Sequence, residues 1–243
     1  MEKLKICAIV GATHTHSNTV YFVSKFINIL EKEIECDIEY QIYSLNECSV
    51  LNCIGCYECL KMRKCVLKDH MEKLKRAMIE SNIILWASPV YMNGVSGIMK
   101  IFVDRLHSWT KLFCLRGKYG IVLSTSSHQA YDLLVKDYLG WIQTSIGLIN
   151  IGSFNICVDA PQELYSEYSD SIIQQYVRKT ILNYREKYCK SLQIHEIIFG
   201  KIKDRIIALK RKNPNNEIVK YWENSEMLDC EKFQDVLNLK KQK

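Results

Sequence analysis

The fold is decided by one stretch near the start of the chain, KICAIVGATHTHSNTVYFVSKFINIL (residues 5–30). Its first part, Lys5–Val10, is a nearly continuous apolar run, which is typical of a parallel strand that is buried on both faces. Its last part has apolar residues at helical spacing, namely Val20, Val23, Ile27 and Leu30. Because a loop of glycine, hydroxyl, amide and imidazole residues joins the two parts, the stretch predicts a strand, a loop and a helix, the first unit of an α/β fold.

The same alternation continues through most of the chain. Four more strands are predicted, at Ile38–Tyr43, Ile83–Ala87, Gly120–Thr125 and Ile151–Val158. Between them lie apolar stripes at helical spacing, one with Met71, Leu74 and Met78, and another with Ile98, Ile101, Phe102 and Arg105. Five strands that alternate with helices predict a doubly wound parallel sheet of order 2-1-3-4-5 with helices on both faces.

The strand pattern stops near residue 194. We therefore expect an α/β domain over residues 1–194, which includes a cysteine-rich loop at 46–68, and a helical extension over residues 195–243. The extension has helical patterns at His195–Lys212 and Glu226–Leu239, with a break at Asn213–Asn216. Its apolar stripe is expected to pack on the domain or on a second subunit.

Composition and charge exclude several classes of protein. Apolar residues make up 48% of the chain and charged residues 25%, which is ordinary for a globular protein and excludes wholesale disorder. No apolar run is long enough to cross a bilayer, and the apolar stretch at the start is too short for a signal peptide, so we expect a cytoplasmic protein with no membrane partner. The net charge of +6 is spread along the chain without a basic block, which argues against nucleic-acid binding.

The loop after the first predicted strand has the features of a phosphate site. In a doubly wound sheet, ligands bind at the carboxyl ends of the strands, and a helix N-terminus attracts anions. The glycine pattern is neither that of a Walker loop nor that of a dinucleotide-binding loop. The alternative is a capped helix start with Ser17 or Asn18 as the N-cap. The candidate ligand-binding residues are Thr13, His14, Ser17, Asn18 and Thr19.

The loop after the third predicted strand, Ala87–Lys100, combines an aromatic ring, a thioether and an Asn-Gly turn. A flat apolar ring with hydrogen-bonding edges could lie on such a loop. The alternative is a structural loop with a buried tyrosine. The candidate residues are Pro89, Val90, Tyr91, Met92, Asn93 and Gly94.

These two loops, together with Asp104-Arg105, resemble the NADPH-dependent FMN reductase-like superfamily, whose fold is flavodoxin-like. The resemblance implies that the first loop binds the FMN phosphate and that Pro89–Gly94 lines the flavin ring. It also implies ring-edge contacts from the loop after the fourth strand, NAD(P)H as an electron donor, and a homodimer or homotetramer. The family commonly has arginine where this chain has His14, and often glycine in the loop after the fourth strand, where this chain has Ser124, Thr125 and Ser126.

Cysteine is unusually frequent, with eleven residues, five of them close together between Cys48 and Cys65. Thiolates at this density select iron–sulfur clusters or zinc. The spacing fits neither the bacterial ferredoxin run nor paired zinc knuckles. It resembles the iron–sulfur flavoprotein branch of the same superfamily, which implies a [4Fe–4S] cluster held by Cys53, Cys56, Cys59 and Cys65 with Cys48 as a spare. Zinc and free thiols remain alternatives.

The sequence therefore predicts an FMN-dependent oxidoreductase in which a cluster carries electrons between the flavin and a partner. The donor or acceptor would be NAD(P)H or a ferredoxin-like redox protein. No side chain is required as a catalytic acid or base, because the redox chemistry belongs to the cofactors. One alternative is an NAD(P)H-dependent FMN or quinone reductase without a cluster, and another is a zinc-stabilised interaction module without turnover.

Overall fold

A computed structural model describes residues 3–14, 16–127, 132–158 and 166–239. The strands are β1 Leu4–Val10, β2 Ile38–Ser44, β3 Ile83–Tyr91, β4 Gly94–Val95, β5 Tyr119–Ser126 and β6 Ile149–Cys157. The helices are α1 Asn18–Glu33, α2 Glu58–Met62, α3 Met71–Glu80, α4 Gly97–Asp104, α5 Trp109–Leu112, α6 Asp132–Ser145, α7 Glu167–Arg185, α8 Gln193–Lys212, α9 Glu217–Asn224 and α10 Phe233–Asn238.

The five long strands form one parallel sheet in the order β2-β1-β3-β5-β6. Since β4 is a two-residue strand that the sequence did not predict, this is the predicted order 2-1-3-4-5 of the long strands. The doubly wound fold with a helical C-terminal part is thus confirmed. The loops after β1, β3 and β5 meet at one edge, next to the point where the strand order reverses, which is where such a sheet binds ligands.

The apolar core lies on both faces of this sheet. Along β1, Ile6, Ala8 and Val10 pack with α1 and α7, whereas Cys7 and Ile9 pack on the opposite face with α3, α4 and α6. Successive side chains of a strand point to opposite faces. A strand covered on both sides is therefore apolar at every position, which explains the continuous run that identified it in the sequence.

The third strand is longer than predicted and continues through Pro89 to Tyr91. The carbonyl of Ala87 accepts a hydrogen bond from the Gly11 N–H (2.8 Å), so Ala87 faces β1, and so does Pro89 two residues later. Because β1 ends at Val10, no carbonyl of β1 is left to accept a hydrogen bond from residue 89. Proline, which has no N–H group, is therefore tolerated there. The strand was predicted to end at Ala87, whereas the chain turns only at Met92-Asn93.

The C-terminal extension packs on the domain of its own chain. Phe113 and Leu112 of the domain share an apolar cluster with Phe199, Trp222 and Phe233 of the extension. The predicted helix at His195–Lys212 is present as α8, and its Ile202 and Ile206 are buried in this cluster. A domain boundary at residue 194 stays a prediction. None of the helices in the described residues is long and apolar enough to cross a membrane.

The predicted helix over Glu226–Leu239 was wrong in its first half. Glu226 adopts a left-handed backbone conformation (φ 60°), which ends helical structure, and only Phe233–Asn238 is helical. Helix α9 was not predicted. Its three buried residues, Ile218, Val219 and Trp222, make a pattern too short to stand out in the sequence.

Candidate functional site

The first loop presents a helix N-terminus at the carboxyl end of β1. Ser17 is the N-cap of α1, and its hydroxyl accepts a hydrogen bond from the N–H of Val20 (3.2 Å). The first turn of α1 carries no acidic residue, so the partial positive charge of the helix is not compensated there. Thr13, His14 and Asn18 are exposed around this end of the helix. The loop therefore offers an anion a set of exposed hydrogen-bond donors.

A buried hydroxyl pair joins the first turn of α1 to the end of β5, where the predicted ring-edge residues lie within the strand rather than in the loop after it. The Oγ1 atoms of Thr19 and Thr125 lie 2.7 Å apart. The neighbouring hydroxyls are used differently, since Ser124 donates to the Asn155 amide oxygen (2.8 Å) and Ser126 accepts from the Asn155 amide nitrogen (2.9 Å). All three predicted ring-edge residues, Ser124, Thr125 and Ser126, are buried and bonded to protein atoms. Their contact with a flavin stays a prediction.

The ring-lining stretch forms a hairpin that projects from the sheet. Tyr91 pairs with Gly94, and the two residues between them, Met92 (φ 48°) and Asn93 (φ 62°), both have left-handed backbone. This is the geometry of a type I′ turn, for which asparagine is well suited and methionine is not. The Met92 side chain is 99% exposed, and Tyr91 is also exposed, whereas Pro89 is buried. The hairpin borders an open cavity of about 490 Å³ whose other wall is α6.

Two buried serines fix this hairpin against the first loop, and the sequence did not identify them. Ser88 accepts a hydrogen bond from the N–H of Ser96 (3.1 Å), and the Ser96 hydroxyl donates to the carbonyl of Gly11. A Cβ at Gly11 would come within 2.7 Å of Met99 and 2.9 Å of Ser96, so only glycine allows this approach. The signal available in the sequence was the Ser96-Gly97 pair, where Ser96 caps α4 by accepting from Met99.

The cysteine-rich loop and the end of α4 enclose a second cavity. Cys53, Cys59 and Cys65 line a space of about 250 Å³ together with Tyr57, Arg105 and His107. Cys56 is exposed and does not line it, so the structure brings together three of the four predicted ligands. Among the residues that the structure describes, no three His, Cys, Asp or Glu side chains are grouped closely enough to bind one metal ion. Burial raises the pKa of Cys59, against a lowering hydrogen bond from Ser108, so this thiol stays protonated at neutral pH.

A buried ion pair closes this loop onto the end of α4. Arg105 donates to both carboxylate oxygens of Asp69, and the side chains are only 1% and 3% exposed. Asp69 also accepts from the N–H groups of Leu51 (2.8 Å) and Met71 (3.0 Å). Burial alone would raise the pKa of Asp69, but these hydrogen bonds outweigh it and hold the pKa below its usual value. The carboxylate is therefore ionised at neutral pH, and both ends of the loop are tied to one charged group.

Arg105 also contacts the cysteine cavity itself. Its Nη2 donates to the Sγ of Cys65 at 3.4 Å, and its Nη1 donates to the carbonyl of Leu51 at 2.7 Å. Sequence reasoning placed Arg105 on an apolar helix stripe and in the Asp104-Arg105 pair of the family resemblance, but gave it no role at the cysteines. A charged residue on such a stripe was the available signal, because it implies a buried partner.

A model of the NADPH-dependent FMN reductase family matches residues 4–159, which include the loops after β1, β3 and β5. The chain belongs to this family. The flavodoxin-like fold and the expected enzyme class, an FMN-dependent oxidoreductase, are thereby confirmed at the level of the family. The match ends before α7, so it says nothing of the extension.

Curated relatives within the family are named iron–sulfur flavoproteins. One from Clostridioides difficile is 28% identical over 206 residues, which cover 82% of this chain and 91% of that protein. Another, from Archaeoglobus fulgidus, is 29% identical over 150 residues, or 61% of this chain and 66% of that protein. The chain thus spans slightly less than two thirds of the length of the Archaeoglobus relative. These names support the predicted iron–sulfur flavoprotein branch.

Solved structures show the same fold. An apo NADH:FMN oxidoreductase is 19% identical, with a TM-score of 0.58 over 74% of this chain and 90% of that chain. RosB with a bound flavin-phosphate intermediate is 13% identical, with a TM-score of 0.59 over 88% of each chain. At these identities the likeness carries the fold alone.

Proposed function

We propose that this chain is an FMN-dependent electron-transfer oxidoreductase that holds a [4Fe–4S] cluster with Cys53, Cys56, Cys59 and Cys65. The observation that carries the proposal is the convergence of three of these thiols on one cavity, in a chain whose relatives are named iron–sulfur flavoproteins. Cys56 lies in the same loop, next to Gly55, which has a left-handed backbone (φ 66°). It is therefore the ligand that has to turn inward when the cluster binds.

The residues at the sheet edge suit FMN. The uncompensated N-terminus of α1, with Ser17 and the exposed Thr13, His14 and Asn18, provides donors for a phosphate. The hairpin at Tyr91–Gly94 offers an exposed aromatic ring and a thioether against which a flat ring can pack. The serine contacts between the two loops hold these two parts of the site at a fixed separation.

The donor set of the second cavity suits a cluster better than zinc. A structural zinc site needs four donors at about 2–2.3 Å from one point. No three such groups converge in this way among the described residues. A cluster presents a separate iron to each thiolate, so its ligands need not converge on one point. A space of about 250 Å³, with an Arg105 N–H group directed at one of its cysteines, also suits a group of several atoms.

The roles of the two cofactors and of the protein's residues follow from these positions. FMN supplies two-electron chemistry and a [4Fe–4S] cluster supplies one-electron chemistry. The protein's own residues bind and orient these groups, and the Asp69–Arg105 pair keeps the cysteine loop against the end of α4. The proposed donor or acceptor is NAD(P)H on the flavin side or a ferredoxin-like protein on the cluster side. A homodimer or homotetramer is the proposed assembly.

Anaerobic purification and reconstitution test the cluster directly. We expect about four irons and four acid-labile sulfides per chain, together with bound FMN. Cys59→Ala and Cys56→Ala should each abolish or severely reduce iron binding and leave FMN bound, because the flavin loops follow different strands. Cys48→Ala is the matched control, since Cys48 lies in the same segment but outside the cavity, and its iron content should equal that of the wild type.

Two other outcomes would contradict the proposal and support a different function. FMN without iron after reconstitution would identify an NAD(P)H-dependent FMN or quinone reductase without a cluster, a function that the outward position of Cys56 favours. Bound zinc without flavin would identify the zinc-stabilised interaction module.

A further inference from the structure

Arg105 is buried at the wall of the cysteine cavity, where the residue as a whole is 5% exposed. Its position is set by α4, which ends at Asp104, and by Asp69 at the far end of the cysteine loop. A buried guanidinium needs partners for all five of its N–H donors. Where those donors point therefore indicates what the residue is built to bind.

The protein satisfies the terminal nitrogens but not the inner one. Nη1 donates to Leu51 and Asp69, and Nη2 donates to Asp69 and to the Sγ of Cys65. The Nε atom is buried without a hydrogen-bond partner among the described residues. One donor of Arg105 is thus directed at the sulfur of a cysteine that lines the cavity, and the Nε has no protein acceptor among the described residues.

A purely structural role in holding the loop would account for only part of this arrangement. The bonds to Asp69 and Leu51 hold the loop closed, and such a role requires no further hydrogen bond. The bond to Cys65 differs from these two, because it directs an N–H group at the sulfur of a thiol that lines the cavity. This contact is explained if Cys65 is the thiolate ligand of a negatively charged group in the cavity.

We propose that Arg105 is a positioning residue that donates a hydrogen bond to the Cys65 thiolate at the cysteine cavity, and thereby raises the reduction potential of the sulfur-containing group that this thiolate binds. The inference rests on the proposed function, because it requires the cluster. Reduction adds negative charge to a cluster, and hydrogen bonds to its sulfurs stabilise the more negative state. Because Asp69 balances the charge of Arg105, the effect comes from directed donors rather than from a free cation.

The test measures reduction potentials in the full-length protein loaded with FMN and reconstituted with iron and sulfide. Arg105→Gln removes the donors to Cys65 but leaves Asp69 buried without a charged partner, which can prevent folding. The double variant Asp69→Asn with Arg105→Gln keeps a neutral pair that can hydrogen-bond, and it is the second variant of the test. Arg185→Gln is the control, since Arg185 is half exposed and pairs with Glu35 on α1's side of the sheet.

In the variants we expect the cluster potential to shift to more negative values, with the flavin potential and the iron content unchanged. The flavin is an internal reference, because a general structural defect would disturb both centres. A cluster potential equal to that of the wild type in both variants would overturn the inference and leave the proposed function intact. Iron lost from both variants would limit Arg105 to loop folding and also overturn it. Wild-type protein without iron would overturn the proposed function and this inference together.

Discussion

Ser17 combines two functions that can be separated by substitution. As the N-cap of α1 it stabilises the helix, and in the proposed phosphate site its hydroxyl would donate a hydrogen bond to the ligand. Loss of a serine cap costs about 1 kcal/mol of stability, and a hydrogen bond to a charged group contributes about 1.5–3 kcal/mol to binding. Ser17→Ala should therefore lower the free energy of unfolding slightly and raise the FMN dissociation constant by roughly tenfold or more, as measured by titration of the apoprotein.

Ser166 provides the matched control for this prediction. It caps α7 in the same way, with its hydroxyl accepting from the N–H of Ser169 at 3.2 Å. Ser166→Ala should therefore cause a similar loss of stability and leave FMN affinity unchanged. An FMN dissociation constant that is the same in Ser17→Ala and the wild type would remove Ser17 from the site.

Single residues also mark the limit of what the sequence could predict about the site. The loop residues were found because hydroxyl, amide and aromatic side chains cluster after predicted strands. The contacts that hold these loops together were not found. Asp69 and Arg105 are distant in sequence and meet only in the fold, and so are Thr19 and Thr125. The exposed position of Cys56 could not be foreseen either, because spacing alone does not fix the backbone of a loop.

At the scale of an element, the start of α8 contains a group whose protonation should affect stability. His195 is fully buried and stacks on Phe233. Its Nδ1 accepts from the N–H of Leu192 (3.0 Å), so its Nε2 carries the proton and donates to the carbonyl of Leu148 (3.0 Å). Burial lowers the pKa of His195 below its usual value. The folded protein therefore holds this imidazole in the neutral form.

This predicts a loss of stability in acid. The unfolded chain takes up a proton at His195 near pH 6.5, whereas the folded chain takes it up only at lower pH. The stabilisation is therefore complete above pH 6.5 and decreases as the pH falls below it. Urea unfolding at pH 7.5 and pH 5.5 should show a larger decrease in the free energy of unfolding for the wild type than for His195→Gln, which cannot titrate. Equal decreases in the two proteins would contradict the prediction.

The elements themselves were predictable where their burial leaves a clear pattern. Strands covered on both faces are largely apolar, so β1, β3 and the first part of β5 stood out in the sequence. Strand β6 was also predicted, although Asn150, Ser153 and Asn155 interrupt its apolar residues. Strand β4 has two residues and helix α9 buries only three, which is too little to establish a period. The length of β3 depended on where its neighbour β1 ends, which no local pattern shows.

At the scale of the whole molecule, the C-terminal extension reaches the cysteine loop. Leu60 of α2 packs against the cluster formed by Phe113 and the extension. The guanidinium of Arg63 lies 4.3 Å from the ring centroid of Tyr221 on α9, and the Tyr221 hydroxyl accepts from Arg116 at 2.7 Å. A part of the chain outside the family match thus supports the segment that carries the proposed cluster ligands.

This arrangement predicts that the extension orders the loop. Tyr221→Leu removes both the ring beneath Arg63 and the acceptor for Arg116, so α2 and the residues that flank it lose a contact with α9. We expect faster amide hydrogen exchange over residues 57–63. Exchange in β1, β3 and β5 should be unchanged, because the side chains of these strands belong to two other apolar clusters. Tyr168→Leu is the control, since Tyr168 is 58% exposed on α7. If exchange over residues 57–63 is the same in Tyr221→Leu as in the wild type, the loop keeps its order without the extension, and the interaction between Arg63 and Tyr221 is not what holds it.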